Sequence, residues 1–409
     1  MLNSTKNSML TQIIKKTPLE YCSRLSIKYG CNVLLKREDT QIVRSFKIRG
    51  ALNKIIKNKQ YNITSYVTAS AGNHAQGVAF VCNKLGLNCN IFVPDNTPLQ
   101  KISRIKHFGN NNCKLIISGN NVNDALDYAY DYCNTKSDSL FIHPYDDLDV
   151  IDGQGNIATE ILEDCVPDIV MVPIGGGGLI AGILSKFSDC DIYGVQPIGA
   201  ASMYESIRAN QVVNLNKIDT FVDGASVSDA GSVPFNIINY SHKIGLLKEI
   251  LKVSNGEICN EMINLYQNEG IITEPAGALA VSALPKLDRE YIKDKTVVCI
   301  VSGGNNDIMR YPEIIEKSLK HQKLKHYFLI TFKQKPGQLK QYVQDILTPK
   351  SDITRFEYIK KNNKNSGSVL IGIELHEPDE INLIKQNMIK NNFEFIQLLE
   401  SDLLYNYLI

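Results

Sequence analysis

The chain has 409 residues, of which 44% are hydrophobic and 21% charged, and its 44 basic residues nearly balance its 43 acidic ones. This length exceeds that of one ordinary core and predicts two or three compact units. The charge balance gives no electrostatic footprint for nucleic acid or an anionic membrane. No apolar run reaches the roughly 18 to 20 residues that cross a bilayer, and the N-terminal segment MLNSTKNSMLTQIIKK lacks the apolar region of a secretory signal. We therefore expect a cytoplasmic protein with no nucleic-acid or membrane partner.

The ten cysteines are scattered, without a C-x-x-C pair and without histidines at zinc-finger spacing. Disulfide frameworks and structural metal sites usually show such regular spacings. We expect most of these cysteines to be small buried hydrophobic residues, and we expect no metal site.

Short β-rich apolar runs alternate with helical patterns from about residue 30 to residue 305. The predicted strands are Tyr66–Ala69, Cys89–Val93, Lys114–Ile117, Asp168–Val172, Asp191–Val195 and Thr296–Val301. Such alternation predicts an α/β architecture with mainly parallel sheets, in which ligands bind at the carboxyl ends of the strands. The chemistry is therefore expected where these strands end.

A different pattern follows the charged stretch at residues 321–325 and predicts a separate domain. Its elements have the ferredoxin-like order β-α-β-β-α-β. They are predicted at Tyr327–Phe332, Pro336–Leu347, Ile353–Ile359, Ser368–Leu375, Pro378–Lys390 and Phe393–Leu399. Pro336 is expected near the first position of its helix, where the missing N–H is harmless. We predict a catalytic region over residues 1–320 and a smaller domain over residues 326–409, with the boundary near 320 to 325.

The motif S-F-K-I-R-G-A at residues 45–51 places a lysine, Lys47, at the start of a predicted helix, and Ser45 is expected to cap that helix. The helix dipole disfavours an ammonium there, and burial lowers its pKa toward the free amine that Schiff-base chemistry requires. The alternative is a solvated surface lysine, because lysines are rarely buried.

A second motif, T-A-S-A-G-N-H-A-Q-G at residues 68–77, follows a predicted strand and enters a helix. Its small residues leave backbone N–H groups open to an anion, and Asn73 offers both a donor and an acceptor, so the motif suits a carboxylate. Taken alone, it is also compatible with an ordinary strand-to-helix turn, and His74 with a structural histidine.

Four successive glycines at residues 175–178 lie between a predicted strand and a helix. They expose an arc of N–H donors, which is typical of a phosphate cradle. The spacing also fits a dinucleotide fingerprint, but the next strand ends in Gln196 instead of the acidic residue that holds a ribose hydroxyl. No Gly-Lys-Ser/Thr follows, so a nucleoside-triphosphate loop is disfavoured as well. A single phosphate fits better than a pyrophosphate.

A fourth strand end carries S-G-G-N at residues 302–305. In this order, the four motifs S-F-K-I-R-G-A, T-A-S-A-G-N-H-A-Q-G, G-G-G-G-L and S-G-G-N resemble the signatures of fold-type II pyridoxal-phosphate enzymes over roughly residues 17–306. Within that group, the residues of these motifs are most similar to those of the threonine dehydratases. The resemblance implies a tryptophan synthase β-like catalytic unit of two parallel-sheet α/β subdomains, followed by a ferredoxin-like (ACT-like) α+β regulatory domain.

The resemblance also implies roles, position by position. Lys47 would hold pyridoxal 5'-phosphate as a Schiff base and remove the substrate Cα proton, Asn73 would bond the ring hydroxyl, and Ser302 would face the pyridine nitrogen. The phosphate would be bound by Gly175, Gly176, Gly177, Gly178 and Leu179. The substrate carboxylate would be bound by Ser70, Ala71, Gly72, Asn73 and His74. The implied reaction is β-elimination of L-threonine to 2-oxobutanoate and ammonia, the first step of isoleucine biosynthesis. Glu274 is interpreted either as facing the cofactor or as a structural turn acid.

Several other activities stay open at this point. Serine differs from threonine by one methyl group, which a pocket discriminates by only about 1 to 3 kcal/mol, so an L-serine dehydratase is an alternative. A β-replacement enzyme and a non-catalytic amino-acid sensor are further alternatives. Serine racemases are similar to this chain but carry a hydroxyl where Ala71 stands, and Gln196 and Ser202 replace their acidic metal positions.

The resemblance also implies ligands and partners for the C-terminal domain at residues 326–409. We expect isoleucine or valine as an effector of the C-terminal domain and a homo-oligomer, either a dimer or a tetramer. The alternative for the tail is a docking module without a ligand, because ferredoxin-like domains serve many roles.

Overall fold

A computed structural model describes residues 13–59, 61–359, 364–400 and 402–409. Residues 1–12, which form most of the N-terminal segment considered above for a targeting signal, lie outside the described residues. The chain divides into two compact units, Met1–Ile308 and Met309–Ile409. No helix within the described ranges is both long and apolar enough to cross a membrane.

The described strands of the first unit are β1 (Leu19–Tyr21), β2 (Asn32–Arg37), β3 (Ser65–Ala69), β4 (Asn88–Val93), β5 (Cys113–Ile117), β6 (Ser139–Phe141), β7 (Ile169–Pro173), β8 (Asp191–Pro197), β9 (Leu247–Val253) and β10 (Thr296–Val301). Its described α-helices are α1 (Ser23–Tyr29), α2 (Lys47–Asn58), α3 (Asn73–Leu85), α4 (Leu99–Gly109), α5 (Val122–Asn134), α6 (Leu148–Asp164), α7 (Gly178–Leu184), α8 (Ser202–Ala209), α9 (Ser232–Lys243), α10 (Asn255–Glu269), α11 (Pro275–Ser282) and α12 (Arg289–Ile292).

These strands form two separate sheets. The larger sheet has six strands in the order β1-β2-β10-β7-β8-β9, all of them parallel except β1, which pairs antiparallel with β2. The smaller sheet has the order β5-β4-β3-β6 and is parallel throughout. The expected α/β architecture with parallel sheets is confirmed. Since β7 and β10 are parallel neighbours, the residues that follow them meet at one edge of the larger sheet.

Helices pack on both sheets, which explains the apolar composition of the central strands. Every residue of β7 is buried, as expected of a parallel strand covered on both faces. One core cluster packs α6, α7 and α9 on the larger sheet, and another packs α2 and α3 on the smaller one. Most of the ten cysteines are buried, in line with the sequence analysis.

A buried ionic network anchors the first turn of α2. The guanidinium of Arg49 donates to Glu38 at 2.7 Å and to Glu160 at 2.6 Å, and Lys36 donates to Glu160 at 2.7 Å. Arg49, Lys36 and Glu38 are almost completely buried. Removing one partner would leave a buried charge uncompensated, so the network holds the first turn of α2 in a defined position.

The second unit contains one antiparallel sheet. Its described elements are α13 (Tyr311–His321), β11 (Lys325–Lys333), α14 (Gln338–Asp345), β12 (Asp352–Tyr358), β13 (Ser366–Glu374), α15 (Glu380–Lys390), β14 (Glu394–Leu398) and α16 (Leu403–Leu408). The sheet order β12-β13-β11-β14 is that of a ferredoxin-like domain, so the predicted order is confirmed.

Two details of the second unit differ from expectation. The unit begins before the expected boundary at 320 to 325 because α13 packs on β11, where the hydroxyl of Tyr327 donates to Glu316 at 2.7 Å. Pro336 is not at the first helical position: α14 begins at Gln338 and is preceded by Gly337 with φ of 85°. A φ in the left-handed region favours glycine, and this turn sets the start of the helix.

Candidate active site

Lys47 is the first residue of α2, but Ser45 does not cap this helix as expected. Among the described residues the Ser45 hydroxyl has no hydrogen-bond partner, and Phe46 is the residue that precedes the helix. The backbone N–H of Phe46 instead donates to the carbonyl of Ser302 at 3.1 Å, and Ser45 pairs with Gly303 in an isolated antiparallel bridge. This pairing with the fourth motif determines the conformation before α2, and it brings Lys47 close to Ser302.

The amine of Lys47 points into the interior of the site. Its Nζ donates to the carbonyl oxygen of Pro144 at 2.8 Å. Burial lowers the pKa of this amine to about 8, and the negative charge of Glu274 opposes the shift. This is not the environment of a solvated surface lysine, and it increases the free-amine fraction near neutral pH.

The segment at residues 143–145 connects Lys47 to the glycine-rich loop. Pro144 accepts the bond from Lys47, and the ring of Tyr145 lies directly against the loop. A Cβ added at Gly176 would lie 2.4 Å from Cδ2 of Tyr145, and one at Gly178 would lie 3.0 Å from its Cα. The missing side chains of these glycines therefore allow Tyr145 to approach the loop closely.

The glycine-rich loop follows β7 and leads into α7. Gly177 has φ of 98°, a left-handed conformation that suits glycine, and α7 begins at Gly178. Ser302 follows the neighbouring strand β10, is buried, and donates through its hydroxyl to the carbonyl of Ala276 at 3.2 Å. The structure thus brings the third and fourth motifs to the same edge of the larger sheet.

Asn73 is the first residue of α3, and its side chain joins the second motif to the fourth. Its Nδ2 donates to Oε1 of Glu274 at 2.7 Å, and its Oδ1 accepts from Nδ2 of Asn305 at 2.7 Å. Burial raises the pKa of Glu274 to about 7, with the charge of Asp223 adding to the rise. The bond from Asn73 and the charges of Lys101 and Lys47 act in the opposite direction and lower the pKa.

The remaining residues of the second motif form a tight turn before α3. The Ser70 hydroxyl accepts from the N–H of Gly72 at 3.2 Å, and Ala71 between them is partly buried. His74 is buried, and its Nε2 lies 3.0 Å from the carbonyl of Ile142, so Nε2 carries the proton. Burial lowers the pKa of His74 to about 3, with the charge of Lys47 contributing, and the imidazole is neutral.

Gln196 and Ser202, which stand where the related racemases carry acidic residues, are both buried. Oε1 of Gln196 accepts from the N–H of Tyr204 at 2.8 Å, and Ser202 is buried at the start of α8. Within the part of the chain that the structure describes, no group of three or more His, Cys, Asp or Glu side chains could hold a metal ion.

Comparison with known sequence families supports the assignment of both units. Residues 10–303 match the family described as pyridoxal-phosphate dependent enzyme, and residues 316–408 match the C-terminal regulatory domain of threonine dehydratase. The chain belongs to the threonine dehydratase family of pyridoxal-phosphate dependent enzymes. The resemblance found in the four motifs is confirmed.

Individual relatives agree with this family. The biosynthetic L-threonine dehydratase IlvA of Staphylococcus aureus (strain NCTC 8325) is 45% identical, and the match covers 98% of this chain and 96% of the relative. The structure of the processed form of threonine deaminase isoform 2 from Solanum lycopersicum is 34% identical, with a TM-score of 0.71, over 76% of this chain and 90% of that one. Serine racemase from Dictyostelium discoideum is 27% identical, with a TM-score of 0.67, over 75% of this chain and 97% of that one.

The residues present fit the cofactor of this family. A phosphate needs backbone N–H donors that no side chain of the loop obstructs, and four successive glycines provide such a backbone where a Cβ at Gly176 would collide with Tyr145. An aldehyde needs an amine that is not fully protonated, and burial provides this at Lys47. Asn73 and Ser302 supply polar side chains for the ring of the cofactor. The contribution of Pro144 and Tyr145 was not predicted from the sequence, where the short apolar run L-F-I at residues 140–142 before H-P-Y was the only signal.

Proposed function

We propose that this threonine dehydratase family member eliminates ammonia from L-threonine to give 2-oxobutanoate, with Lys47 as its catalytic lysine. The observation that carries the proposal is the placement of the Lys47 amine, whose Nζ donates to the carbonyl oxygen of Pro144 at 2.8 Å, and burial lowers the pKa of this amine to about 8. This amine lies beside the Pro144–Tyr145 segment, which contacts the glycine-rich loop. The biosynthetic relative, named an L-threonine dehydratase and 45% identical over nearly the whole chain, supports the choice of substrate.

Each residue of the site has a proposed task. When bound, pyridoxal phosphate supplies an electron sink for the negative charge that develops at the substrate Cα. Lys47 would hold the aldehyde of the cofactor, and its freed amine would act as the general base that takes the Cα proton of the substrate. The phosphate is bound through backbone N–H groups by Gly175, Gly176, Gly177, Gly178 and Leu179. In the net reaction, the β-hydroxyl of threonine would take up a proton and leave as water, and the uptake of one water would release 2-oxobutanoate and ammonia.

The polar groups around Lys47 select the reaction. Asn73 would bond the ring hydroxyl through the second N–H of its amide. Ser302 would face the ring nitrogen, and a neutral hydroxyl, unlike a carboxylate, would not hold that nitrogen protonated. The weaker electron sink favours elimination over transamination. The substrate carboxylate is held by Ser70, Ala71, Gly72, Asn73 and His74.

Product analysis tests this proposal. Purified protein supplied with pyridoxal phosphate and L-threonine should release 2-oxobutanoate and ammonia in equal amounts, and L-serine should react with a lower kcat/KM. One methyl group separates the two substrates, so we expect the ratio to lie within about 10- to 200-fold. No ketoacid from either amino acid, despite cofactor bound at Lys47, would favour an amino-acid sensor instead.

We propose that the second unit, Met309–Ile409, is the regulatory domain and binds isoleucine or valine. Support comes from its ferredoxin-like sheet and from its match to the regulatory domain of threonine dehydratase. The catalytic region then ends near residue 308, earlier than the boundary predicted from the sequence. Effector coupling of about 1 to 3 kcal/mol should change the apparent affinity for threonine roughly 5- to 150-fold.

A truncation distinguishes a regulatory role of the second unit from a docking role. The full chain should respond to isoleucine or valine, and a chain that ends after Ile308 should turn over threonine without any response. An unchanged response in the shorter chain would place the effector site in the first unit. We further propose that the protein is cytoplasmic. We also propose that it forms a homo-oligomer, either a dimer or a tetramer, and sedimentation of the full chain would measure that oligomeric state.

A further inference from the structure

Glu274 is a buried carboxylic acid that bonds to a residue of the proposed cofactor site. It is only 6% exposed, and its carboxylate accepts from Asn73 at 2.7 Å across 201 positions of sequence. Glu274 also immediately precedes α11, where an acid usually caps the free N–H groups of a helix. Its side chain makes no such cap bond, so the role of a structural turn acid does not account for it.

The bonds on either side of Asn73 fix the orientation of its amide. Asn305 donates through Nδ2 to the carbonyl of Val43 at 2.8 Å, and a carbonyl can only accept. The same Nδ2 donates to Oδ1 of Asn73, so the oxygen of that amide must face Asn305. The nitrogen of Asn73 must then face Glu274, which accepts one of its two hydrogens. The second hydrogen is left for another acceptor.

The fourth motif leaves room for this carboxylate. A Cβ added at Gly303 would lie 2.4 Å from Oε1 of Glu274, so a larger residue would displace the carboxylate from Asn73. The backbone N–H of Glu274 also donates to the carbonyl of Gly303 at 3.2 Å. The first glycine of S-G-G-N therefore gives space to the acceptor that Asn73 requires.

We infer that Glu274 is a positioning residue: together with Asn305 it holds the Asn73 amide so that its second N–H faces the ring hydroxyl of pyridoxal phosphate. This inference rests on the proposed role of Asn73 at the cofactor. Without an acceptor at position 274 the amide keeps only its bond from Asn305, so its second N–H is held less firmly toward the ring hydroxyl. Glu274 thus acts on the cofactor through Asn73 and not by touching it.

The test is the equilibrium affinity of the cofactor-free full chain for pyridoxal 5'-phosphate, followed by visible absorbance. Glu274→Ala should weaken the affinity about 10- to 100-fold, the range expected for a bond to a charged group. Glu274→Gln keeps an acceptor oxygen and should stay within about threefold of the wild type, because a neutral acceptor still fixes the amide. Glu261→Gln is the matched control: it changes another buried glutamate, which bonds to Arg24, and should leave the affinity unchanged.

A double-mutant cycle separates this role from a general effect on folding. If Glu274 acts through Asn73, the chain with both Asn73→Ala and Glu274→Ala should bind no more weakly than Asn73→Ala alone. Additive losses, or a Glu274→Ala variant with wild-type affinity, would overturn the inference. Should Glu274→Ala not fold, Glu274→Asp, whose carboxylate is one methylene shorter, takes its place with the same expectations.

Failure of the proposed function gives a different result in this experiment. If Asn73→Ala alone binds the cofactor as tightly as the wild type, the proposed role of Asn73 is wrong and the inference falls with it. If the wild type attaches the cofactor at Lys47 and Asn73→Ala weakens binding while Glu274→Ala does not, only the inference fails.

Discussion

The Nζ of Lys47 donates to the carbonyl oxygen of Pro144 at 2.8 Å. The next residue, Tyr145, lies against the glycine-rich loop, so one short segment contacts both the proposed catalytic amine and the proposed phosphate site. This arrangement gives the amine a defined hydrogen-bond acceptor whenever it is not attached to the cofactor. Because the same segment contacts both, it also sets the position of Lys47 relative to the glycine-rich loop.

Removing the amine should abolish the reaction and leave the fold intact. Lys47→Ala should lower kcat for threonine at least about 1000-fold, because a general base alone contributes roughly 100- to 10,000-fold and the attachment point is lost as well. Circular dichroism should remain that of the wild type. Lys57→Ala on the same helix, where the lysine is exposed, is the control and should retain full activity. Turnover by Lys47→Ala near the wild-type rate would remove Lys47 from the mechanism.

The rate of cofactor attachment should follow the titration of Lys47. Because burial lowers the pKa of its amine to about 8, the free-amine fraction rises through pH 8 and is nearly complete by about pH 9. Stopped-flow absorbance should show a rate that levels off above this pH, whereas an ordinary lysine would keep gaining free amine up to about pH 10.4. Glu274→Gln should move the inflection to lower pH, since the charge of Glu274 raises the pKa of Lys47. A rate that still climbs through pH 10 would contradict the burial of this amine.

The contact between Gly176 and Tyr145 predicts a steric effect at the loop. Gly176→Ala would place a Cβ 2.4 Å from the ring, so we expect a loss of about 1 to 3 kcal/mol in unfolding free energy and weaker cofactor binding. Adding Tyr145→Ala to the same chain should restore part of the stability by removing the colliding ring. Gly245→Ala, where no atom lies within 4 Å of the added Cβ but φ is 79°, is the control for backbone strain alone and should destabilise by about 1 kcal/mol. Equal losses in cofactor affinity for both glycine variants would argue against the contact.

His74 should make the fold sensitive to acid. Its folded pKa of about 3 lies below the ordinary value of 6.5, so the unfolded chain binds the proton first as the pH falls. Stability from this group is complete above about pH 6.5 and declines below it, by up to about 1.4 kcal/mol per pH unit. His74→Gln, which keeps a donor toward the Ile142 carbonyl, should flatten the pH dependence of urea unfolding between pH 6 and 4. The exposed His107→Gln should leave that dependence unchanged, and a flat profile in the wild type would contradict the buried neutral imidazole.

Local sequence patterns were sufficient to predict where the strands of the first unit end and to predict the ferredoxin-like order of elements in the second unit. Apolar runs such as Thr296–Val301 are long enough to detect, and the residues after them carry unusual chemistry. The strand Ser139–Phe141 has only three residues and was missed, and the contributions of Pro144 and Tyr145 were missed with it. The conformation of Ser45 was predicted wrongly because a distant pairing with the fourth motif replaced a local cap.

Contacts between distant residues define the remaining features of the site. The bond between Asn73 and Glu274 joins residues 201 positions apart, and neither residue alone indicates the other. The burial of Arg49 and Lys36 likewise depends on Glu160 from another helix, so a sequence pattern assigns these charges to the surface. Such pairings become visible only when the two sheets are in place.

Borohydride reduction followed by peptide mass mapping tests the central claim most directly. The full chain is loaded with pyridoxal phosphate and reduced either before or shortly after L-threonine is added. We predict that the pyridoxyl mass appears on the peptide containing Lys47 in the first sample and falls sharply in the second, because the substrate amine displaces Lys47 before reduction. Label on a different lysine, or label on Lys47 that threonine does not release, would contradict the account.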